Sequence, residues 1–222
     1  MSKLEQNSAR KAKQHTVYKN GEGKRVPGVT TILDVMSKPA LLQWANKIGL
    51  EGIEMSKYVD DLADIGTLAH KIIECYLKKE DVDYSDYTAN QKVLAENAVL
   101  KFFNWLEVND FKFIASELQL VSEALQYGGT IDLYCLLNGK KTLIDLKTCK
   151  ACYGEHFTQV AAYKNLLHEN GYDVDDVRIL RIGRDESEGF DDYSVPKLGL
   201  HFQRFVKCRE LYEINKELNR KG

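Results

Sequence analysis

Residues 130–148 read TIDLYCLLNGKKTLIDLKT, and this stretch decides what the chain can be. Two apolar runs flank Asn138-Gly139, a dipeptide that tolerates left-handed backbone and so suits a two-residue hairpin loop. Thr130–Leu137 and Thr142–Thr148 are therefore read as antiparallel strands. A two-residue loop pairs Leu137 with Lys140 and, counting back, sets Asp132 directly opposite Asp145. Period-two alternation places Asp145 and Lys147 on one face and Ile144 and Leu146 on the other. Opposed carboxylates within apolar strands repel, and each costs several kcal/mol, roughly, when buried without compensation. A cation between them would remove both penalties.

A strand over Phe113–Val121, carrying Glu117, precedes this hairpin, with Tyr127-Gly128-Gly129 read as the turn between them. Downstream, Glu155–Asn170 has helical spacing and is closed by Gly171; a strand at Val177–Ile182 and a helix over about Leu200–Leu218 follow. Upstream, the pattern is helical from Thr30 to about Asn109. Pro39 is placed to open Ala40–Ile48, and Leu62, Ile65, Ala69, Ile72, Ile73 and Tyr76 recur at helix spacing. A third helix over Val93–Leu106 offers Val93, Leu94, Ala98, Leu100, Phe103 and Leu106 as its apolar side. This order predicts an α/β (α+β) fold, a central mixed β-sheet flanked by helices with a helical N-terminal half. No Pro/Gly/Ser linker or internal repeat divides residues 1–222, which are read as one domain: a basic arm at 1–25, a helical part at 26–110 and a sheet-based core at 111–222.

An apolar content of 44% with 29% charged residues excludes a disordered or fibrous chain. The formal charge of −2 offers no global attraction to a polyanion and speaks against passive coating of DNA. Residues 1–25 are the basic exception; a solvated, partly disordered tail is the commoner role for such a segment and a phosphate-contacting arm the rarer one. The longest apolar run, Leu133–Leu137, is far short of the roughly 20 residues of a membrane helix, and no signal-like region opens the chain. No membrane association is expected, and a cytoplasmic protein is (the host cytoplasm if phage-encoded). Cys75, Cys135, Cys149, Cys152 and Cys208 are odd in number and irregularly spaced, which argues against a disulfide framework. Cys149 and Cys152 could hold half of a zinc or iron–sulfur site or act as a redox pair, but no second pair completes a site. Ordinary buried or half-buried thiols are the simpler reading.

Facing carboxylates suit Mg²⁺ or Mn²⁺, and a lysine beside the ion can orient or deprotonate an attacking water and offset phosphate charge. A bare Asp-x-Lys is more often a same-strand ion pair on a solvated face. Its neighbours, in order, change that balance: Gly66-Thr67-Leu68-Ala69-His70, then Glu117, then Gly129-Thr130-Ile131-Asp132, then Asp145-Leu146-Lys147, then Gln159-Val160-Ala161-Ala162-Tyr163. The series resembles the RecB-like branch of the PD-(D/E)XK nuclease superfamily, and within it the phage and mitochondrial-genome-maintenance exonucleases. The likeness spans Gly66 to Tyr163, and Val26–Thr31 is also similar to such phage proteins.

The resemblance implies a restriction-endonuclease-like nuclease core in which Asp132, Asp145 and the Leu146 main-chain carbonyl ligate one or two Mg²⁺ or Mn²⁺ ions. His70 would add a nitrogen ligand supported by Glu74, Lys147 would be the catalytic lysine, and Glu117 would bind a second metal or hold a water. Gln159 and Tyr163, four apart on one helix face, would orient the lysine or touch phosphates, with Thr148 and Lys150 as further DNA contacts. Arg178, Arg181 and Arg184 are additional phosphate candidates, although strand arginines more often face solvent. Relatives bearing an iron–sulfur cluster carry three cysteines near the C-terminus, where this chain has Cys208 alone, so no cluster is expected. No G-x-x-x-x-G-K-[ST] loop is present to drive a helicase motor. The expected function is a divalent-metal-dependent DNA exonuclease in phage recombination or DNA processing. DNA is its expected partner; the phage relatives also imply a single-strand-binding or annealing recombinase protein and leave room for an oligomer. The alternative is a nuclease fold that has lost turnover and serves as a nucleic-acid-binding or assembly subunit.

Overall fold

Asn138 and Gly139 adopt φ of 49° and 78°, the left-handed pair that a tight hairpin requires, and join the two strands that the sequence predicts. The computed structural model describes residues 16–36 and 38–221; residues 1–15, most of the basic arm, lie outside the described residues. The chain runs β1 (Tyr18–Lys19), β2 (Arg25–Val26), α1 (Val29–Leu33), α2 (Pro39–Leu50), α3 (Met55–Lys78) and α4 (Ala89–Glu107). It continues β3 (Phe111–Ser122), β4 (Tyr127–Leu137), β5 (Lys140–Lys147), α5 (Gly154–Glu169), β6 (Asp176–Ile182), β7 (Phe190–Ser194) and α6 (Gly199–Lys221). The fold is thus mixed α/β, as the element order predicts. Its main sheet has the order β3-β4-β5-β6-β7, antiparallel except for the β5–β6 pair, whose crossover is α5.

Strand alternation divides the interior into two apolar layers. Ile144, Leu146, Leu180 and Ile182 point to one face and pack with Ile65, Leu68, Ile73, Val99 and Phe102 from α3 and α4. Leu143, Val177 and Ile179 point to the other face and meet Ile32 from α1, Leu166 from α5 and Phe205 from α6. A parallel pair covered on both faces accounts for the burial of Val177, Ile179, Leu180 and Ile182 in β6.

Four sequence expectations are corrected. Tyr127-Gly128-Gly129 is strand, and the reversal lies just before it, where Gln126 takes φ 52° and Leu125 N donates to Ser122 Oγ at 3.0 Å. The glycines serve close approach instead of turning: an added Cβ would lie 2.3 Å from Tyr18 Cγ at Gly128 and 2.7 Å from Tyr163 Cε1 at Gly129. Helix α4 begins four residues before Val93, at a capping box in which Gln91 N donates to Thr88 Oγ1 and Thr88 N to Gln91 Oε1. It also faces differently, because Val93 and Leu100 are more than half exposed while Ala95, Val99, Phe102 and Trp105 are buried. Strand β7 has no apolar alternation to announce it. Residues 18–25 of the basic arm form, with Val26, a β1–β2 hairpin through Asn20 and Gly23, so this part is ordered chain.

The burial of α4 fixes a stability ranking. Phe102→Ala should cost about 3–5 kcal/mol in urea unfolding, whereas Leu100→Ala should stay within about 0.5 kcal/mol. The opposite ranking would require α4 to be rotated toward the periodicity read from the sequence.

Candidate metal centre and its cleft

The β4–β5 ladder runs from Leu137↔Lys140 to Leu133↔Ile144 and stops. The next pair in register, Asp132 and Asp145, is not joined by the ladder; instead Asp132 Oδ2 accepts from Leu146 N at 2.8 Å. On the other side of β4, Ser116 pairs with Leu133 and Leu118 with Ile131, which sets Glu117 across from Asp132. Glu117 has φ 50°, a left-handed backbone that is uncommon for a side-chain-bearing residue and costly inside a strand. Strand β4 changes facing here: Ile131 belongs to the layer under α5 and Leu133 to the layer under α3 and α4. The sheet therefore opens at one point, and the acids are at the opening.

His70 arrives from α3. Its approach depends on Gly66, one turn earlier, where an added Cβ would sit 2.6 Å from Thr148 Oγ1. His70 Nδ1 lies 3.8 Å from Asp132 Oδ1, beyond hydrogen-bond reach. One ligand atom each from His70, Glu117 and Asp132 fall within 4.8 Å of one another, and among the described residues this is the group able to hold a metal ion. Two ligands about 2.1 Å from a shared octahedral ion would be about 3–4 Å apart, close to the spacing found. Burial lowers the His70 pKa, with Lys147 acting the same way, while Asp132 and the Leu146 backbone oppose the shift. A neutral imidazole is the form that ligates metals.

Asp145 stands beneath this group on the face shared with α5. It is 1% exposed, and apart from Lys147 neither carboxylate oxygen has a hydrogen-bond partner. Lys147 Nζ lies 2.6 Å from Asp145 Oδ2, so the ammonium is the donor that faces this carboxylate. Burial pushes the Asp145 carboxyl up, only partly offset by Lys147. Burial alone would lower Lys147, but Asp145 and Asp132 outweigh it and hold the ammonium charged. The site thus contains a buried acid, a single cation that partners it and three adjacent ligand-bearing side chains.

A cleft of about 1300 Å³ opens over these groups and is bordered by His70, Glu117, Asp132, Leu146, Lys147, Thr148, Lys150 and Tyr163. Gln159 Nε2 donates to Tyr163 OH at 2.8 Å, so Gln159 reaches the site through the tyrosine. The structure gathers His70, Glu117 and Asp132 as the tightest group, with Asp145 set apart against Lys147. The Leu146 amide is used to hold Asp132. Glu74 is engaged by Lys71 and Lys78 at 3.1 and 2.5 Å. Arg178 pairs with Asp176 and Asp192, Arg181 with Asp191, and Arg184 with Glu188. Arg181 and Arg184 are buried and all three charges have internal partners, so these arginines brace the sheet edge and its loop. The thiols of Cys149 and Cys152 are raised by burial, away from reactive thiolate.

Tyr18 is the member that sequence reading missed. Its hydroxyl shares a hydrogen bond with Thr130 Oγ1 at 2.8 Å, and burial, then Glu117 and Asp132 among the opposing and reinforcing influences, leave its pKa raised. The available signal was Gly128, whose missing side chain makes the tyrosine's seat.

Two outcomes follow. Gly128→Ala should displace Tyr18 and lower the melting temperature by several degrees, and Tyr18→Ala in the same background should recover part of the loss. Glu117 is pushed up to about 7 by burial, then by Asp132 and Glu74. The folded protein therefore holds this proton more tightly than the unfolded chain, and the stability it confers is lost as pH rises from about 4.5 to 7. In EDTA, Glu117→Gln should melt above wild type at pH 8 and close to it at pH 4. Compared with protein-family models and with curated proteins, the chain matches none.

Proposed function

We propose that the protein is a divalent-metal-dependent DNA exonuclease that hydrolyses phosphodiester bonds at this cleft. The observation that carries the reading is Asp145: a buried carboxylate whose one charged partner is Lys147, beside the His70, Glu117 and Asp132 group. An ion pair kept only for stability gains little over apolar packing of the same volume, whereas a cation-dependent reaction requires acids at this position. The ordered motifs from Gly66 to Tyr163 point the same way and suggest phage recombination or DNA processing as the setting. A single-strand-binding or annealing protein is the partner class that this setting implies.

His70, Glu117 and Asp132 would hold a Mg²⁺ or Mn²⁺ ion, with Asp145, held against Lys147, as the further carboxylate that the motif series assigns to it. Oxygen-rich ligands with one imidazole suit these hard cations. The ion would supply Lewis-acid polarisation of the phosphate and activation of water. Lys147, as an ammonium, donates to the attacking water or to a phosphate oxygen and so aligns the two. Tyr163, steadied by Gln159, fixes the wall behind Asp145 and Asp132, whose charges it senses. Thr148 and Lys150, at the end of β5, offer a hydroxyl and a charge to the neighbouring phosphate.

The direct experiment follows end-labelled linear single- and double-stranded DNA with Mg²⁺, Mn²⁺ or EDTA. Wild type should degrade DNA only with metal, and Asp132→Ala, Asp145→Ala and Lys147→Ala should each lower the rate by roughly 10²–10³-fold or more. Binding without hydrolysis of any DNA under any metal would make the fold a binding module and overturn the enzyme reading.

A further inference from the structure

Tyr18 is fixed at the border of the cleft by more contacts than its packing needs. The β1–β2 ribbon buries Val26 alone among its strand residues, yet three hydrogen bonds from its turn and its end pin it to the rest of the protein. Gly128 N donates to Pro27 O at 2.9 Å, Gly21 N to Glu123 Oε1 at 2.6 Å, and Asn20 Nδ2 to Gln126 Oε1 at 2.8 Å. Two glycines seat the ring: besides Gly128, a Cβ at Gly28 would lie 3.1 Å from Tyr18 Cε2. A phenylalanine would fill the same seat. The hydroxyl adds a bond to half-buried Thr130, a kind that water replaces at little net cost in stability. Packing therefore accounts for the ring and leaves the hydroxyl to be explained.

The phenol hydrogen-bonds Thr130 Oγ1 at 2.8 Å and also the Thr16 side chain, and all three residues border the cleft. Each hydroxyl carries one proton. Three hydroxyls joined by two hydrogen bonds have one proton left to donate, and among the described residues no further acceptor takes it. The group belongs to the Glu117 and Asp132 side of the site, since these are the acids whose charges reach Tyr18. Lys147 stands instead against Asp145, and Lys71 and Lys78 are engaged by Glu74. We propose that Tyr18, with Thr16 and Thr130, donates this remaining proton to a non-bridging phosphate oxygen of the substrate on the Glu117 side of the cleft. The inference rests on the nuclease reading of the floor and adds a substrate-binding residue to it. A phosphate approaching two acids meets like charge, and a neutral O–H eases that approach without adding a cation that would close onto the acids as Lys147 closes onto Asp145. Hydroxyls in a chain polarise one another, which strengthens the terminal donor.

A double-mutant cycle between hydroxyl and phosphate tests this without turnover. End-labelled DNA, in the strand form that wild type binds more tightly, is titrated by anisotropy with Ca²⁺ in place of Mg²⁺. In a parallel set of strands one uncharged methylphosphonate replaces each linkage in turn, starting from the end. Tyr18→Phe keeps the ring in its seat, so its circular dichroism and melting temperature should stay close to wild type. Its affinity for unmodified DNA should fall roughly 10-fold. The salt dependence of binding should not change, since no cation is lost. At one linkage the methylphosphonate should weaken wild type clearly more than it weakens Tyr18→Phe, whose donor is already missing. Unchanged affinity of Tyr18→Phe, or additive losses at every linkage, would overturn the proposal and leave the hydroxyls as a brace of the ribbon. Failure of wild type to bind DNA would overturn the contact and the nuclease reading together. A non-additive linkage in a protein that leaves DNA uncut in Mg²⁺ or Mn²⁺ would support the phosphate contact and remove the nuclease reading alone.

Discussion

Strands β4 and β5 stop hydrogen-bonding at Leu133 and Ile144, and Asp132 fills the gap by accepting from the Leu146 amide. The rest of the site depends on that divergence. Had the ladder continued, Asp132 and Asp145 would stand as a closed cross-strand pair with Glu117 on a regular neighbouring strand. Because it ends, β4 changes facing between Ile131 and Leu133, and Glu117 is turned by a left-handed backbone toward Asp132. His70 from one face of the sheet and Lys147 from the other then reach the same opening. Glycines without turning roles let the neighbours close in: Gly66 for α3, Gly128 for Tyr18 and Gly129 for Tyr163.

Such an arrangement is held from outside itself. A carboxylate with 1% exposure, whose burial Lys147 only partly offsets, opposes folding, as does a positive φ at Glu117. Two apolar layers offset these costs, one of α3 and α4 and the other of α1, α5 and α6, clamping β5 on both faces. Under the proposed function the unfavourable electrostatics are what a bound cation would relieve. Acids whose charge is poorly compensated by the protein gain most from an added cation, and Lys147 is kept protonated by the same acids that need it.

Much of this was legible in residues 130–148. The Asn-Gly loop fixed the hairpin register, and alternation correctly assigned Asp145 and Lys147 to one side and Ile144 and Leu146 to the other. Register could not reveal where the ladder ends, because that depends on a side-chain acceptor at Asp132 competing for the Leu146 amide. The helical periodicity of α4 misled since Val93 and Leu100 are apolar yet exposed, and the better signal was the Thr88-x-x-Gln91 capping box. Tyr127-Gly128-Gly129 was misread because glycine signals both turning and close approach, and only the positions of Tyr18 and Tyr163 distinguish the two. Tyr18 itself, in a basic segment with little apolar pattern, gave no periodic signal at all.

On the proposed function, the sheet opening would hold a divalent ion in the absence of substrate. Mn²⁺ binding to the protein alone, followed by the loss of the free-ion signal in electron paramagnetic resonance, tests it most directly. Saturable binding of one or two ions per chain, weakened at least roughly tenfold by Asp132→Asn with the fold intact, is the predicted result. Binding that is unsaturable, or that is indifferent to Asp132, would contradict the account and leave the acids as a structural feature of the sheet.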